Sequence, residues 1–422
     1  MKKQFKDILS HPLISGSLIF SAGSFFFSIL NYLFNLLMGR VLSVADYGVL
    51  IALTTTINIL SIFAQSVITV FTKFSASLIG QNKGGAIREL FKKGTFWIAI
   101  FGFIISVIIF ILRSTICQFF HIQETIYIDF VILIIFLSFM QSVGFGILQG
   151  LLRFGTYSII NIFITIIKLS LGLLFVYLGG RTLGALSAYL ISAFIGYILI
   201  FIPLKKYLNQ KDQFHLPYEN LPNKLIIYGI PVFLSSIGVS GFMSVDVILV
   251  KHFYSANDAG LYSALSLMGR SIFYLLAPIN YVLFPLVAQK KEKGENLSKI
   301  LIMTLILTGL PTICLTIIYF IFPKLILTIF FPAPAYSGLI TYLGPFSVFI
   351  LFFTLASILN NFYLSIGKTR VFILTTIGLI TEIIYILYFH NSFTQLITGL
   401  IVTSFLLLFG LLLYYPYATR KN

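Results

Sequence analysis

The chain has 422 residues, of which 59% are hydrophobic and only 9% charged. A soluble domain carries about 25% charged residues, so this balance excludes a water-soluble fold and implies an integral membrane protein. The formal net charge of +16 is not a nucleic-acid signature, because the basic residues fall in short gaps between apolar runs, as topology signals do.

Crossing a bilayer takes about 20 mostly apolar residues per helix, and about 12 such runs can be counted. They lie near 14–38, 48–72, 94–112, 127–148, 158–178, 183–203, 223–249, 260–287, 299–322, 338–360, 370–388 and 394–414, and are numbered here as spans 1 to 12. Alternating strands of barrel type are not seen. The expected fold is therefore all-α.

Span 1 follows Lys2, Lys3 and Lys6 and has no small-residue cleavage site after it, so it reads as a retained span. With the N-terminus placed in the cytoplasm, the inner gaps and tails hold about 21 Lys and Arg and the outer gaps about 5, which fixes the orientation. The even span number puts the C-terminus in the cytoplasm too. The longest polar connection, residues 204–222, falls at the midpoint. The expected organisation is a six-helix lobe over 1–203, a cytoplasmic linker over 204–222 and a second six-helix lobe over 223–422.

The gap after span 1 contains Ser43-Val44-Ala45-Asp46-Tyr47-Gly48, and the gap after span 7 contains Ser255-Ala256-Asn257-Asp258-Ala259-Gly260. Both read Ser-x-x-Asp-x-Gly at matching places in the two halves. Internal repeats in a membrane chain mark a two-lobed transporter with its site between the lobes. Asp46 and Asp258 read as helix caps. Arg40 and His252 hold equivalent positions in the repeat.

Polar residues inside spans are costly and therefore informative. Span 1 carries Ser17, Ser21, Ser24, Ser28, Asn31 and Asn35 on one helical face. Small and hydroxylated stripes of this kind serve helix packing as readily as a polar path. Asn31, Asn58 and Gln65 are larger, and are read as candidates for lining a cavity. Lys168 and Arg270 sit near the middle of spans 5 and 8. Two readings of this pair stand side by side. They hold a phosphate-bearing substrate, Arg by its fork and Lys as a point charge, or they form buried ion pairs with Glu382 and Asp246. Glu382 and Asp246 are also candidates for ion coupling, with Lys251 the nearest alternative partner of Asp246. Span 11 aligns Thr375, Gly378, Glu382 and Tyr385, and span 8 aligns Ser263, Ser266, Arg270 and Tyr281.

No phosphate loop of the Gly-x-x-x-x-Gly-Lys-Ser/Thr type occurs, and neither the two cysteines nor the five histidines have metal-ligand spacing. No cofactor, metal site or catalytic grouping is expected. The outer gaps are too short for the carboxylates of a membrane glycosyltransferase or glycan polymerase.

The segment Gly39-Arg40-x-Leu42-Ser43-x-x-Asp46-Tyr47-Gly48 is similar to the first-gap motif of the polysaccharide transporters, or oligosaccharide flippases. Asp246-x-x-Leu249 with Asp258-x-Gly260-x-Tyr262-Ser263-Ala264 resembles their signature across helices 7 and 8, and Phe284-Pro285-Leu286 resembles the proline that ends helix 8. The resemblance implies a member of the multidrug, oligosaccharidyl-lipid and polysaccharide exporter superfamily. Its fold would be two pseudo-symmetric six-helix lobes around a central cavity, working by alternating access. Its cargo would be a lipid-linked oligosaccharide turned across the cytoplasmic membrane. The partners implied are that substrate, membrane lipids and glycan-assembly proteins, with a monomer sufficient for function. A multidrug or organic-cation antiporter of the same superfamily is the alternative. Span 1 lacks the carboxylate that reading wants.

Overall fold

The computed structural model describes the backbone of residues 12–81, 83–209, 233–234, 236–292, 297–332, 334–366 and 368–419, and the side chains of these apart from 12–21, 277–292, 297, 369 and 419. Most of the linker (210–222) and the side chains of Ser17, Ser21, Tyr281, Phe284, Pro285 and Leu286 lie outside that description. The described residues form helices and connecting turns. In hydrocarbon every backbone N–H and C=O needs an internal partner, and a helix supplies them all within one segment.

In chain order the helices are α1 Pro12–Val41, α2 Val44–Gly80, α3 Ile87–Ile111, the short α4 Arg113–Phe120, α5 Ile126–Gly150, α6 Phe154–Phe175 and α7 Arg181–Leu208. Then come α8 Ser236–Phe242, α9 Val245–Phe253, α10 Ala256–Glu292, α11 Leu297–Ile321, the short α12 Pro323–Phe330, α13 Ile340–Ser365, α14 Phe372–Tyr388 and α15 Phe393–Thr419. A helix stands at every one of the predicted spans.

Among the described residues, eight helices are long and apolar enough to cross a membrane, or nine if the bent pair α8–α9 is one span. That count is lower than the twelve runs for identifiable reasons. It takes Phe154–Leu208 as one stretch, although α6 and α7 double back on each other: Gly184 packs on Phe175 and Gly196 on Ile164. The reversal sits at Gly179, with φ 89°, and Arg181, with φ 43°. The first of these suits glycine, which has no Cβ to clash there. The helix α10 is not counted, and α14 has only 17 residues, the short end of the spanning range of about 17–25.

The chain forms two compact units, Met1–Val41 with Thr56–Phe233, and Leu42–Thr55 with Leu234–Asn422. In the first unit α2 packs on α3 and α5 through small residues that let backbones approach. Gly94 and Gly146 lie against Phe71, Gly150 against Ser75, and the Thr72 hydroxyl donates to the Gly146 carbonyl at 3.1 Å. α1 packs on α6, where Gly172 accommodates the Phe34 ring. In the second unit α13 is central: Phe346 fills the space above Gly269 of α10, Gly344 receives Phe320 of α11, and the Tyr363 hydroxyl donates to the Leu411 carbonyl of α15 at 2.6 Å.

The repeated gap motif builds the same cap twice. Ser43 Oγ donates to Asp46 Oδ2 at 2.8 Å and accepts from the Asp46 N–H at 3.1 Å. Ser255 and Asp258 do the same at 2.7 and 3.1 Å. The aspartates are therefore not the cap residues expected from sequence. The serines are the N-caps, and the aspartates occupy the third helical position and close a capping box. The glycines of the two motifs meet within the second unit. A side chain on Gly260 would collide with the Val44 carbonyl, and a Cβ on Gly48 would lie 2.7 Å from the Gly260 nitrogen. Only glycine permits so close a backbone approach.

Candidate functional site

Among its described residues the first unit holds one buried cationic side chain. Lys168, on α6, is 6% exposed. Its Nζ donates to Asn31 Oδ1 of α1, while Asn31 Nδ2 donates to the Phe27 carbonyl at 2.9 Å and is thereby fixed in orientation. Two rings flank the Lys168 nitrogen, Phe34 at 4.8 Å and Tyr189 at 4.5 Å to the centroids. Such contacts supply about 0.5–2 kcal/mol each by attraction to the ring face. No carboxylate of the described residues forms an ion pair with Lys168. On the same face of α6 Asn161 donates to the Tyr157 carbonyl and Thr165 to the Asn161 carbonyl. Ser28 likewise donates to the Ser24 carbonyl of its own helix.

Asn31 and Lys168, picked separately from the sequence, are thus brought together. Asn58 and Gln65 are exposed on α2, two turns apart on one face, and neither touches the Lys168 site through a described hydrogen bond. Phe34 and Tyr189 went unnoticed in the sequence. The available signal was Phe34 lying three residues after Asn31, on the same face of α1.

The second unit holds a different arrangement. Span 7 is broken: α8 and α9 meet at 47° across Met243 and Ser244. Asp246 is at the second position of α9 and is fully buried. Arg270 of α10 donates from Nη2 to Asp246 Oδ1 at 2.6 Å and Oδ2 at 2.8 Å. The Tyr262 hydroxyl donates to Asp246 Oδ2 at 2.6 Å. Tyr262 and Arg270 are two turns apart on α10, so one helix face supplies both donors. Charge-assisted hydrogen bonds of this length are the strong ones. Glu382 of α14 is fully buried nearby.

Of the two readings of Arg270, the ion pair with Asp246 is the one seen, while Lys251, the alternative partner of Asp246, lies on the same helix and is itself buried. The helix α9 runs on past Asp246 to Phe253. Arg270, expected to hold a substrate phosphate or to pair with an acid, has its Nη2 engaged by Asp246. The remaining motif residues are peripheral to both sites. Arg40 is exposed at the end of α1, just after Gly39, and His252 stacks edge-on with Phe253. Among the described residues no group of three or more His, Cys, Asp or Glu is placed to hold a metal.

Residues 13–291, well over half of the chain, match the family model described as polysaccharide biosynthesis protein. An uncharacterized membrane protein of Methanocaldococcus jannaschii is 26% identical over 258 residues, covering 59% of this chain. The match spans 61% of that relative's own length. Among solved structures, an inward-facing multidrug resistance MATE-family transporter of the MOP superfamily superposes with a TM-score of 0.74 at 15% identity, over 94% of this chain and 96% of that one. An outward-facing MATE-family transporter of the same superfamily gives 0.67 at 16% identity, covering 96% of each chain. A MOP-superfamily transporter from Pyrococcus furiosus, described as having a binding pocket of reverse polarity, gives 0.66 at 16% identity, also over 96% of each. The chain is therefore a multi-pass membrane protein with the MOP-superfamily transporter fold.

Proposed function

The chain belongs to the polysaccharide biosynthesis protein family, and from that premise we propose that it is a flippase that moves a lipid-linked oligosaccharide across the cytoplasmic membrane by alternating access. The observation that carries this reading is Lys168. A buried amine with no carboxylate partner, held by one neutral acceptor and two ring faces, is suited to an anion that arrives and leaves. A lipid-linked sugar brings such an anion in its phosphate or pyrophosphate. A cation inside the membrane is by default functional, and a lysine meets phosphate as a point charge without demanding a fixed fork geometry. Asn31 sets the position of the amine. Asn58 and Gln65 offer polar groups along the path of the sugar.

Arg270 takes a positioning role in this reading, since its Nη2 is committed to Asp246. The basic inner gaps favour cytoplasmic termini and contact with anionic lipid. Lipids and the lipid-linked glycan are the expected partners, with glycan-assembly proteins upstream and downstream, and one copy of the chain suffices.

The test is flipping of a fluorescent lipid-linked oligosaccharide in liposomes holding purified protein. Wild type flips the probe, and Lys168→Met, inserted and folded, does not. Export of an organic cation dye without flipping of any lipid-linked sugar would move the protein to the antiporter branch.

A further inference from the structure

Glu382 is a buried acid with no described hydrogen-bond partner. It is 0% exposed, and neither carboxyl oxygen accepts a hydrogen bond from a described residue. The register of α8 and α14 shows what it faces. Gly238 packs against Thr375 and Gly241 against Leu379, so the two helices run in the same sense. One further step along that face of α14 brings Glu382 to the break in span 7, beside Asp246. It lies within electrostatic reach of Asp246 and Arg270 and of Tyr262. Arg270 gives Nη2 to Asp246, while its buried Nε donates to no described residue.

Among the described residues, the other groups placed near Glu382 carry no charge. α15 brings Leu407 against Gly378 and Gly399 against Tyr385, with Thr403 between them. Lys251 lies more than a turn beyond Asp246 on α9, and Arg370 precedes α14 at its far end. An ionised carboxylate without a donor is strongly disfavoured in such surroundings, and the neutral acid is far less so. Broken spans are where membrane transporters build ion sites.

We propose that Glu382 is a proton-carrying site, and that Glu382 and Asp246 compete for Arg270. In the arrangement described, Glu382 keeps its proton and Arg270 serves Asp246. When water reaches the break in span 7, the Glu382 O–H bond breaks and the proton passes to water. The new carboxylate then accepts the unengaged Nε–H of Arg270. Proton loss thereby draws α10 toward α14 and loosens its hold on α9. The inference goes beyond the cargo reading and holds whatever the cargo is.

The experiment is infrared spectroscopy of the purified full-length protein in lipid, following the carbonyl stretch of protonated carboxyl groups. Wild type shows this band at neutral pH and loses it on alkalinisation. Glu382→Gln lacks it. Glu382→Asp, which keeps a carboxyl, displaces it and serves if the amide variant does not fold. Asp246→Asn also loses it at neutral pH, because Arg270 is then free to take an ionised Glu382. A band that survives Glu382→Gln, is undisplaced in Glu382→Asp or persists in Asp246→Asn overturns the proposal. None of these readouts uses transport, so their failure is distinct from failure of the flippase reading.

Discussion

The two units bury their cations in opposite ways. In the first, Lys168 has an amide oxygen and two aromatic faces. In the second, Arg270 has a carboxylate that is itself secured by Tyr262, with a second acid close by. Desolvating a charge is costly, and a buried pair recovers that cost only with good geometry. The second unit has that geometry. The first does without it. On the proposed flippase reading, one arrangement maintains structure and the other leaves an opening for an anion.

The sharpest way to break this comparison is to strip Arg270 of both acids. Asp246→Asn with Glu382→Gln leaves a buried guanidinium uncompensated, at a cost of about 3–5 kcal/mol. Thermal unfolding in detergent should show a large fall, and adding Arg270→Met should recover much of it. An unchanged unfolding temperature in the double variant would mean that the cluster is not structural.

Tyr262→Phe is the next test, because it removes one hydrogen bond to a charged group at roughly 1.5–3 kcal/mol while keeping the ring against Phe346 and Phe393. The same unfolding measurement reads it. The smallest stability effect belongs to Lys168→Met. It removes a desolvated amine and keeps the apolar stem, so stability should stay within about 1 kcal/mol of wild type or rise. A loss comparable to that of the Arg270 cluster would place the two sites in the same class and end the contrast.

Much of this was legible in the sequence because the bilayer makes few structures possible. Hydropathy located the helical segments, and the repeated Ser-x-x-Asp-x-Gly followed from spacing. The mid-span depth of Lys168, Arg270 and Glu382 singled them out as well. The pairing of Arg270 with Asp246 stood among the readings, but the choice between readings was not legible. Asp246 and Arg270 lie 24 residues apart on different helices, and Lys251 on the same helix was the nearer basic residue in sequence. Span 7 read as one run in which Gly238 and Gly241 permit a bend, but they do not place the break at Met243–Ser244, which carries no proline. The capping boxes were misassigned by one role, since Asp and Ser are both good N-caps and only the hydrogen bonds distinguish them.

The central claim is that Lys168, and not Arg270, is the group left open for an anion. The direct measurement is binding of a polyprenyl pyrophosphate to purified protein in detergent, comparing wild type, Lys168→Met and Arg270→Met. Loss of one charge-assisted contact of at least 1.4 kcal/mol corresponds to about tenfold in affinity. The account predicts a loss of that size or greater in Lys168→Met and a much smaller change in folded Arg270→Met. Wild-type affinity in Lys168→Met would contradict it.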